Sequence, residues 1–122
     1  GNPMAAPNIV NVSTITAKTT GGAVPTSVTQ FLANSASSGK VFKINTIIIS
    51  NVDGSNSANV TVIYYDGSNS RHIGKTIAVP QDSTLVLTDK NSVIYLEEGT
   101  DIRGNASAAS DLEFIISYEE IS

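Results

Sequence analysis

The sequence contains no cysteine and no tryptophan, and His72 is its single histidine. Without cysteine the chain has no disulfide framework, no thiolate zinc ligands and no thiol nucleophile. A structural or catalytic zinc site needs several nitrogen or sulfur ligands, and a second imidazole does not exist here. The folded core must therefore be held together by packing.

Charge and long apolar runs are also scarce. Charged residues make up 15% of the chain, and the basic side chains are scattered singly. A nucleic-acid-binding surface needs clustered bases that release counterions, so we expect no nucleic-acid partner. The apolar runs, such as Ile47-Ile48-Ile49, are far short of the ~20 residues of a membrane helix. We therefore expect no membrane partner.

The length of 122 residues fits one domain with its own core. We interpret Gly1-Asn2-Pro3 as an expression scar and Met4 as the native start, followed by a single domain over residues 4–122. The residues after Met4 lack a basic segment and an apolar segment, so no secretory signal is expected.

Small polar residues and β-branched residues dominate instead, with 16 Ser, 12 Thr and 11 Asn. This composition is typical of strands with an uncharged polar surface, and turn residues recur at short intervals. Strands are predicted over residues 9–19, 27–33, 41–52, 59–65, 71–79, 84–88, 93–96 and 111–121, with a short segment at 101–107. The prediction is an all-β, single-domain antiparallel two-sheet sandwich of about eight strands, such as a jelly roll.

The segment 41–52 is the most apolar of these strands. Strict alternation places Ile44 and Ile48 on one face. It places Ile47 and Ile49 on the other face. Apolar residues on both faces indicate a central strand, or one whose second face is covered by a neighbouring subunit. Ile47 and Ile49 are therefore candidate interface residues of a homo-oligomer.

The word DGSNS occurs twice, at residues 53–57 and 66–70. A calcium loop needs several carboxylates, and each copy has one. The copies bracket a strand that would span roughly 26 Å, so they cannot share one ion. Their flanking residues differ, which argues against a duplicated unit. We predict two turns, and with them a three-stranded meander over residues 41–79.

No group of residues indicates catalysis. His72 has no accompanying G-x-S-x-G nucleophile elbow. The neighbouring carboxylates Glu119 and Glu120 would point to opposite faces of a strand, so they cannot flank one glycosidic bond. We expect no catalytic residue, no cofactor-binding residue and no metal ligand, and hence a non-enzymatic protein.

Tyr64 and Tyr65 form an aromatic pair with one ring on each face of a predicted strand. One ring is expected to pack in the core. The other could stack on a sugar or pack against a neighbouring subunit. Both tyrosines therefore join Ile47 and Ile49 as candidate interface residues, although aromatic residues are only 6% of the chain.

Acidic residues concentrate near the end of the sequence. Residues 97–122 hold seven carboxylates and one arginine, whereas residues 1–96 hold four carboxylates and six bases. Two interpretations remain open: a solvated acidic edge, or an acidic docking face for a basic neighbour.

Three stretches carry a family resemblance: KINTIIISNVDGSNSANVTVIYYDGSNS, KTIAVPQDSTLVLTDKNSVIYLEEGTDI and the final DLEFIISYEEIS. Together they resemble the small virion structural proteins of tailed bacteriophages, especially those that infect marine cyanobacteria. The resemblance covers roughly residues 40–122. Gln81, where a small residue is expected, and Thr100, between Gly99 and Asp101, depart from the pattern.

The resemblance implies a β-sandwich component of a virion that is assembled in the host cytoplasm. Its partners would be other virion proteins, with an oligomer on the exterior of the head or tail, as a decoration or fibre-like protein. A second hypothesis is a soluble receptor- or carbohydrate-binding module, with Tyr64 or Tyr65 as the stacking surface.

Overall fold

The structure, a computed structural model, describes residues 14–122. Its described elements are all β-strands. They are β1 (Ile15–Ala23), β2 (Thr29–Asn34), β3 (Val41–Asn51), β4 (Ala58–Tyr65), β5 (Ser70–Val79), β6 (Thr84–Thr88), β7 (Ile94–Leu96), β8 (Thr100–Ala106) and β9 (Leu112–Ile121). Two antiparallel sheets, of five and four strands, pack as a sandwich. The all-β, two-sheet prediction is confirmed. The proposed scar and start residue lie outside the described residues.

The strand order shows how the chain folds back on itself. The five-stranded sheet has the order β1-β9-β3-β6, with β7 also paired to β3, and the four-stranded sheet has the order β2-β8-β4-β5. The pairing is nested: β4 pairs with β5, β3 with β6, β2 with β8 and β1 with β9. The chain is thus a long antiparallel hairpin rolled into two layers.

The core lies between the two sheets and is closed by an aromatic pair. Phe31 of β2 stacks on Phe114 of β9. Gly104 lies beneath Phe31, where a Cβ atom would collide with the Thr61 carbonyl oxygen and lie 3.0 Å from Phe31 Cζ. A strand glycine often marks such a close approach. Gly104 therefore makes room for the ring that joins the sheets.

A β-bulge in β3 overturns the face assignment of that strand. The register with β9 shifts between Ile44 and Thr46, so a strict period of two fails beyond that point. As a result Ile44, Ile47 and Ile49 all face the core, each with 0% exposure. Ile47 and Ile49 are buried within a single chain, so the prediction that they line an interface is wrong. Ile48 takes the outer face instead.

The first strand also differs from its prediction. Residues 9–13 of the predicted strand lie outside the described residues, and β1 runs on through Gly21 and Gly22 rather than ending there. A Cβ atom at Gly22 would lie 3.3 Å from Phe114 Cε1. The glycine therefore allows the strand to pass close to the aromatic ring and does not end it.

Both copies of DGSNS are turns, as predicted, and they share one hydrogen-bond pattern. The Asp53 carboxylate accepts the backbone N–H groups of Ser55 and Asn56 at 2.7 and 3.2 Å. The Asp66 carboxylate likewise accepts the N–H groups two and three residues ahead, at 2.9 and 2.7 Å. Each aspartate thus caps its own turn.

The two turns nevertheless connect different kinds of strand pair. The second copy joins the paired strands β4 and β5, whereas the first leads from β3 in one sheet to β4 in the other. The prediction of a three-stranded meander is therefore wrong. An aspartate-capped turn defines only local backbone geometry, while burial of the apolar faces decides which sheet each strand joins.

Candidate functional site

The outer face of the four-stranded sheet holds a depression of about 340 Å³ at the carboxyl end of β2 and the start of β8. The strand register brings its side chains together: Asp101 lies opposite Ala33 on one side and opposite Tyr65 on the other. The lining residues are Gln30, Ala33, Asn34, Ser35, Ala36, Tyr65, Gly99, Thr100, Asp101 and Arg103.

A buried carboxylate organises this depression. Asp101 is only 4% exposed, and its two oxygens accept Arg103 Nε at 2.8 Å, Arg103 Nη2 at 2.6 Å and Gln30 Nε2 at 2.8 Å. The hydrogen bonds to Asp101 raise the pKa of Arg103 above its ordinary value. The result is a two-point ion pair within β8, and the Gln30 hydrogen bond ties it to β2.

Tyr65 completes the cluster. The Arg103 guanidinium lies 4.0 Å from the centroid of the Tyr65 ring, a cation–π contact that holds both groups in place. Tyr64 points the other way and packs against the core, where burial raises the pKa of its phenol. The prediction of one ring on each face is confirmed. That either ring lies in an interface stays a prediction.

The outer face of the five-stranded sheet carries a second candidate surface. Ile48 of β3 lies directly opposite Ile115 of β9 on one side and opposite Val86 of β6 on the other. Residues that are opposite each other in neighbouring strands share a face. Ile115 is 44% exposed and Val86 is 56% exposed. We call these three residues the apolar row.

The sequence contains a signal for the apolar row, which was not among the predicted interface residues. Ile115 stands between the inward-facing Phe114 and Ile116, at an outward position that it shares with Glu113 and Ser117. An isoleucine among outward polar residues is the departure from alternation that points to the row. Ile48 could not be assigned without the bulge in β3.

Two of the seven acidic residues in 97–122, Glu119 and Glu120, pair with lysines from earlier in the chain. Glu120 bridges Lys18 at 3.0 Å and Lys40 at 2.8 Å, and Glu119 approaches Lys43 at 3.7 Å. The hydrogen bond from Lys40 lowers the pKa of Glu120 despite its partial burial. The two neighbouring glutamates thus face opposite sides, as predicted. Glu119 and Glu120 reach lysines on both sides because β9 lies between β1 and β3.

The remaining titratable groups do not converge. His72 is exposed on β5 opposite Ile63, and Ile63 separates it from Arg103 in the next strand but one. Asp53 and Asp111 interact at one end of the sandwich, where burial and the neighbouring Asp53 raise the pKa of Asp111. Within residues 14–122 there is no group of three or more histidine and acidic side chains that could hold a metal ion.

No protein-family model matches the chain, and no curated protein matches it. In the part of the chain that the structure describes, no helix has the length and hydropathy required to cross a bilayer.

Proposed function

We propose that this protein is a non-enzymatic structural component of a tailed-phage virion, assembled as a homo-oligomer on the exterior of the head or tail. The apolar row on the outer face of the five-stranded sheet carries the proposal. Ile115 and Val86 place apolar surface in solvent on a sheet face that residues 14–122 leave uncovered. Contiguous apolar patches of this kind mark protein–protein contacts.

Two further observations support an assembly role. The sequence resembles small phage virion proteins over roughly residues 40–122, and the nested strand pairing of the sandwich is compatible with a jelly roll. Jelly rolls are used in viral capsid domains and also in lectins. One fold serves many functions, so the fold alone does not identify a role. The apolar row supplies a specific surface for contact with a partner.

The strand β1, at an edge of the same sheet, is a second surface for a partner chain. Nearly every residue of β1 is exposed, and among the described residues β1 pairs with β9 alone. A strand edge with unpaired N–H and C=O groups can accept another strand. Lys18 and Lys40 are bridged to Glu120, which reduces the positive charge available to bind nucleic acid.

The assembly role is tested first by mass spectrometry of purified virions, where an exterior structural protein is expected in many copies. Absence of the protein from the particle would end the proposal. Sedimentation velocity at micromolar concentration tests the oligomer, and we expect Ile115→Ser combined with Val86→Ser to shift the protein to monomer. Val28→Ser serves as the control because Val28 is equally exposed, at 55%, but lies outside the row. A monomeric wild-type protein would contradict the homo-oligomer.

A further inference from the structure

We infer that the depression on the outer face of the four-stranded sheet binds a neutral polyhydroxylated ligand about the size of one sugar ring, through Arg103, Asp101 and Tyr65. This site is on the opposite side of the sandwich from the apolar row. The inference therefore does not depend on the proposed assembly role, and a virion protein could carry it with the apolar row occupied.

Size is the first argument. The depression has a volume of about 340 Å³, at the lower end of the roughly 300–1,000 Å³ that small-molecule sites span. One sugar ring fits a space of that order, whereas a larger flat cofactor does not. Its lining combines small side chains at the wall, such as Ala33 and Ala36, with polar groups at the floor.

The hydrogen-bonding groups at the floor suit hydroxyls. A carboxylate offers about four acceptor positions, and three hydrogen bonds to Asp101 are described. Arg103 uses Nε and Nη2 for Asp101, which leaves Nη1 as a donor without a described protein partner. A hydroxyl group donates and accepts at once. A pair of neighbouring hydroxyls can therefore donate to Asp101 and accept from Arg103.

Charge selects a neutral ligand over an anion. Asp101 is buried and paired with Arg103, so the floor of the depression carries no net charge. An incoming carboxylate or phosphate would meet the Asp101 carboxylate as well as the Arg103 guanidinium in the same depression. Like charges at such separations repel, and the desolvation of the ligand would remain uncompensated. Hydroxyl groups avoid both costs.

The cluster is also rigid before any ligand arrives. Arg103 is held by two hydrogen bonds to Asp101 on its edge and by the Tyr65 ring on its face. Gln30 holds the second carboxylate oxygen from the neighbouring strand. Side chains locked by one another lose little conformational freedom on binding, which is how small sites reach useful affinity.

The test is a titration of 15N-labelled wild-type protein with D-glucose, D-galactose and D-mannose, followed by NMR. We expect the side-chain Nε–Hε signal of Arg103 and the amide signals of Gln30 to shift and saturate. A Kd of about 1–10 mM is expected for at least one sugar, as for a small ligand with few contacts. Acetate and N-acetylneuraminate, as anions, are expected to give no saturable shift.

Variants separate a binding site from a purely structural ion pair. Tyr65→Leu is expected to weaken binding about 10-fold, since an aromatic contact beside the ligand is lost. Gln30→Met, at an exposed position, provides a second variant if Tyr65→Leu fails to fold. Tyr95→Leu is the control, because Tyr95 is exposed on the other sheet. A glycan array then separates the sources: binding indicates the terminal sugar of a glycan, and a flat array with positive NMR indicates a free sugar.

Three results would overturn the inference. The first is the absence of a saturable shift at Arg103 with any neutral sugar up to about 100 mM, well above a millimolar Kd. The second is saturable binding of the anions alone. The third is sugar binding that both Tyr65→Leu and Gln30→Met leave unchanged, which would place the bound sugar elsewhere.

Discussion

The Phe31 ring stacks on the Phe114 ring across the two sheets, with centroids 4.3 Å apart and planes inclined by 14°. Each ring lies against a glycine: Gly104 beneath Phe31, and Gly22 beside Phe114. The stack therefore depends on two positions where a side chain is missing. It joins β2 of one layer to β9 of the other.

Gly104→Ala is expected to lower the free energy of unfolding by about 3 kcal/mol, at the upper end of ordinary overpacking costs. The added methyl group would meet the Thr61 carbonyl oxygen, which is a backbone atom of β4, and the Phe31 ring, which is stacked on Phe114. Urea unfolding followed by circular dichroism measures the change. Gly54→Ala is the control, expected within about 0.5 kcal/mol of wild type, because its nearest neighbours are Asp82 oxygens at 3.9 Å or more. Wild-type stability of Gly104→Ala would contradict the packing described.

Asn51→Leu is expected to destabilise the protein by about 3 kcal/mol, since buried carbonyl groups lose their donors. Asn51 is buried at the end of β3, where its Nδ2 donates to the carbonyls of Asn56 and Val79, both at 2.9 Å. Those bonds tie the β3–β4 connection to the end of β5. Thermal unfolding measures the effect, with Asn91→Ala in an exposed turn as the control. Equal melting temperatures for the two variants would show that the Asn51 bonds contribute little.

Asp66→Asn is expected to lower stability at pH 7 and to have little effect near pH 2. The backbone N–H groups of Asn69 and Ser68 lower the pKa of Asp66 below its ordinary value. A carboxyl group with a lowered pKa in the folded state stabilises the fold above its unfolded pKa of ~3.9, and that contribution is lost as the pH falls. Urea midpoints between pH 7 and pH 2 measure the profile.

Ser68→Ala is the matched control for that profile. Asp66 accepts the backbone N–H of Ser68, which alanine retains, so the pH dependence should follow wild type. If Asp66→Asn and Ser68→Ala gave the same profile, the carboxylate would not be the group that stabilises the turn.

Asp111→Asn is expected to raise stability at pH 7. Burial and the nearby Asp53 raise the pKa of Asp111, so its ionisation disfavours the folded state. The sign is opposite to that of Asp66: the gain should be complete at neutral pH and should disappear as the pH falls below the ordinary carboxyl value of ~3.9. Glu113→Gln, two residues away and exposed, controls for the change in net charge. Lower stability of Asp111→Asn at pH 7 would refute the repulsion.

Several features of the fold followed from the sequence. Composition and recurring turn residues predicted the strands that became β4 and β9, and the Asp-Gly words predicted turns. These patterns are local: the period of two and the aspartate cap involve residues only a few positions apart. Tyr64 and Tyr65 were assigned to opposite faces for the same reason.

The residues of the depression around Asp101 could not be grouped from local sequence patterns. Asp101 and Arg103 were visible as a nearby pair in the sequence, but Gln30 lies 71 residues from Asp101 and reaches it only through the β2–β8 register. The bulge in β3 similarly moved Ile47 and Ile49 into the core and Ile48 to the surface. A single bulge exchanges the two faces of every residue that follows, and alternation alone cannot place it.

The sequence by itself determined an all-β sandwich without disulfides, with its turns at the repeated DGSNS words, because composition and short-range spacing govern strands and turns. Only the tertiary structure decided that the first of those turns crosses between sheets and that the C-terminal glutamates meet lysines from β1 and β3. It also created the depression around Asp101. Strand partners are chosen when apolar faces are buried together, and that choice depends on residues distant in the chain.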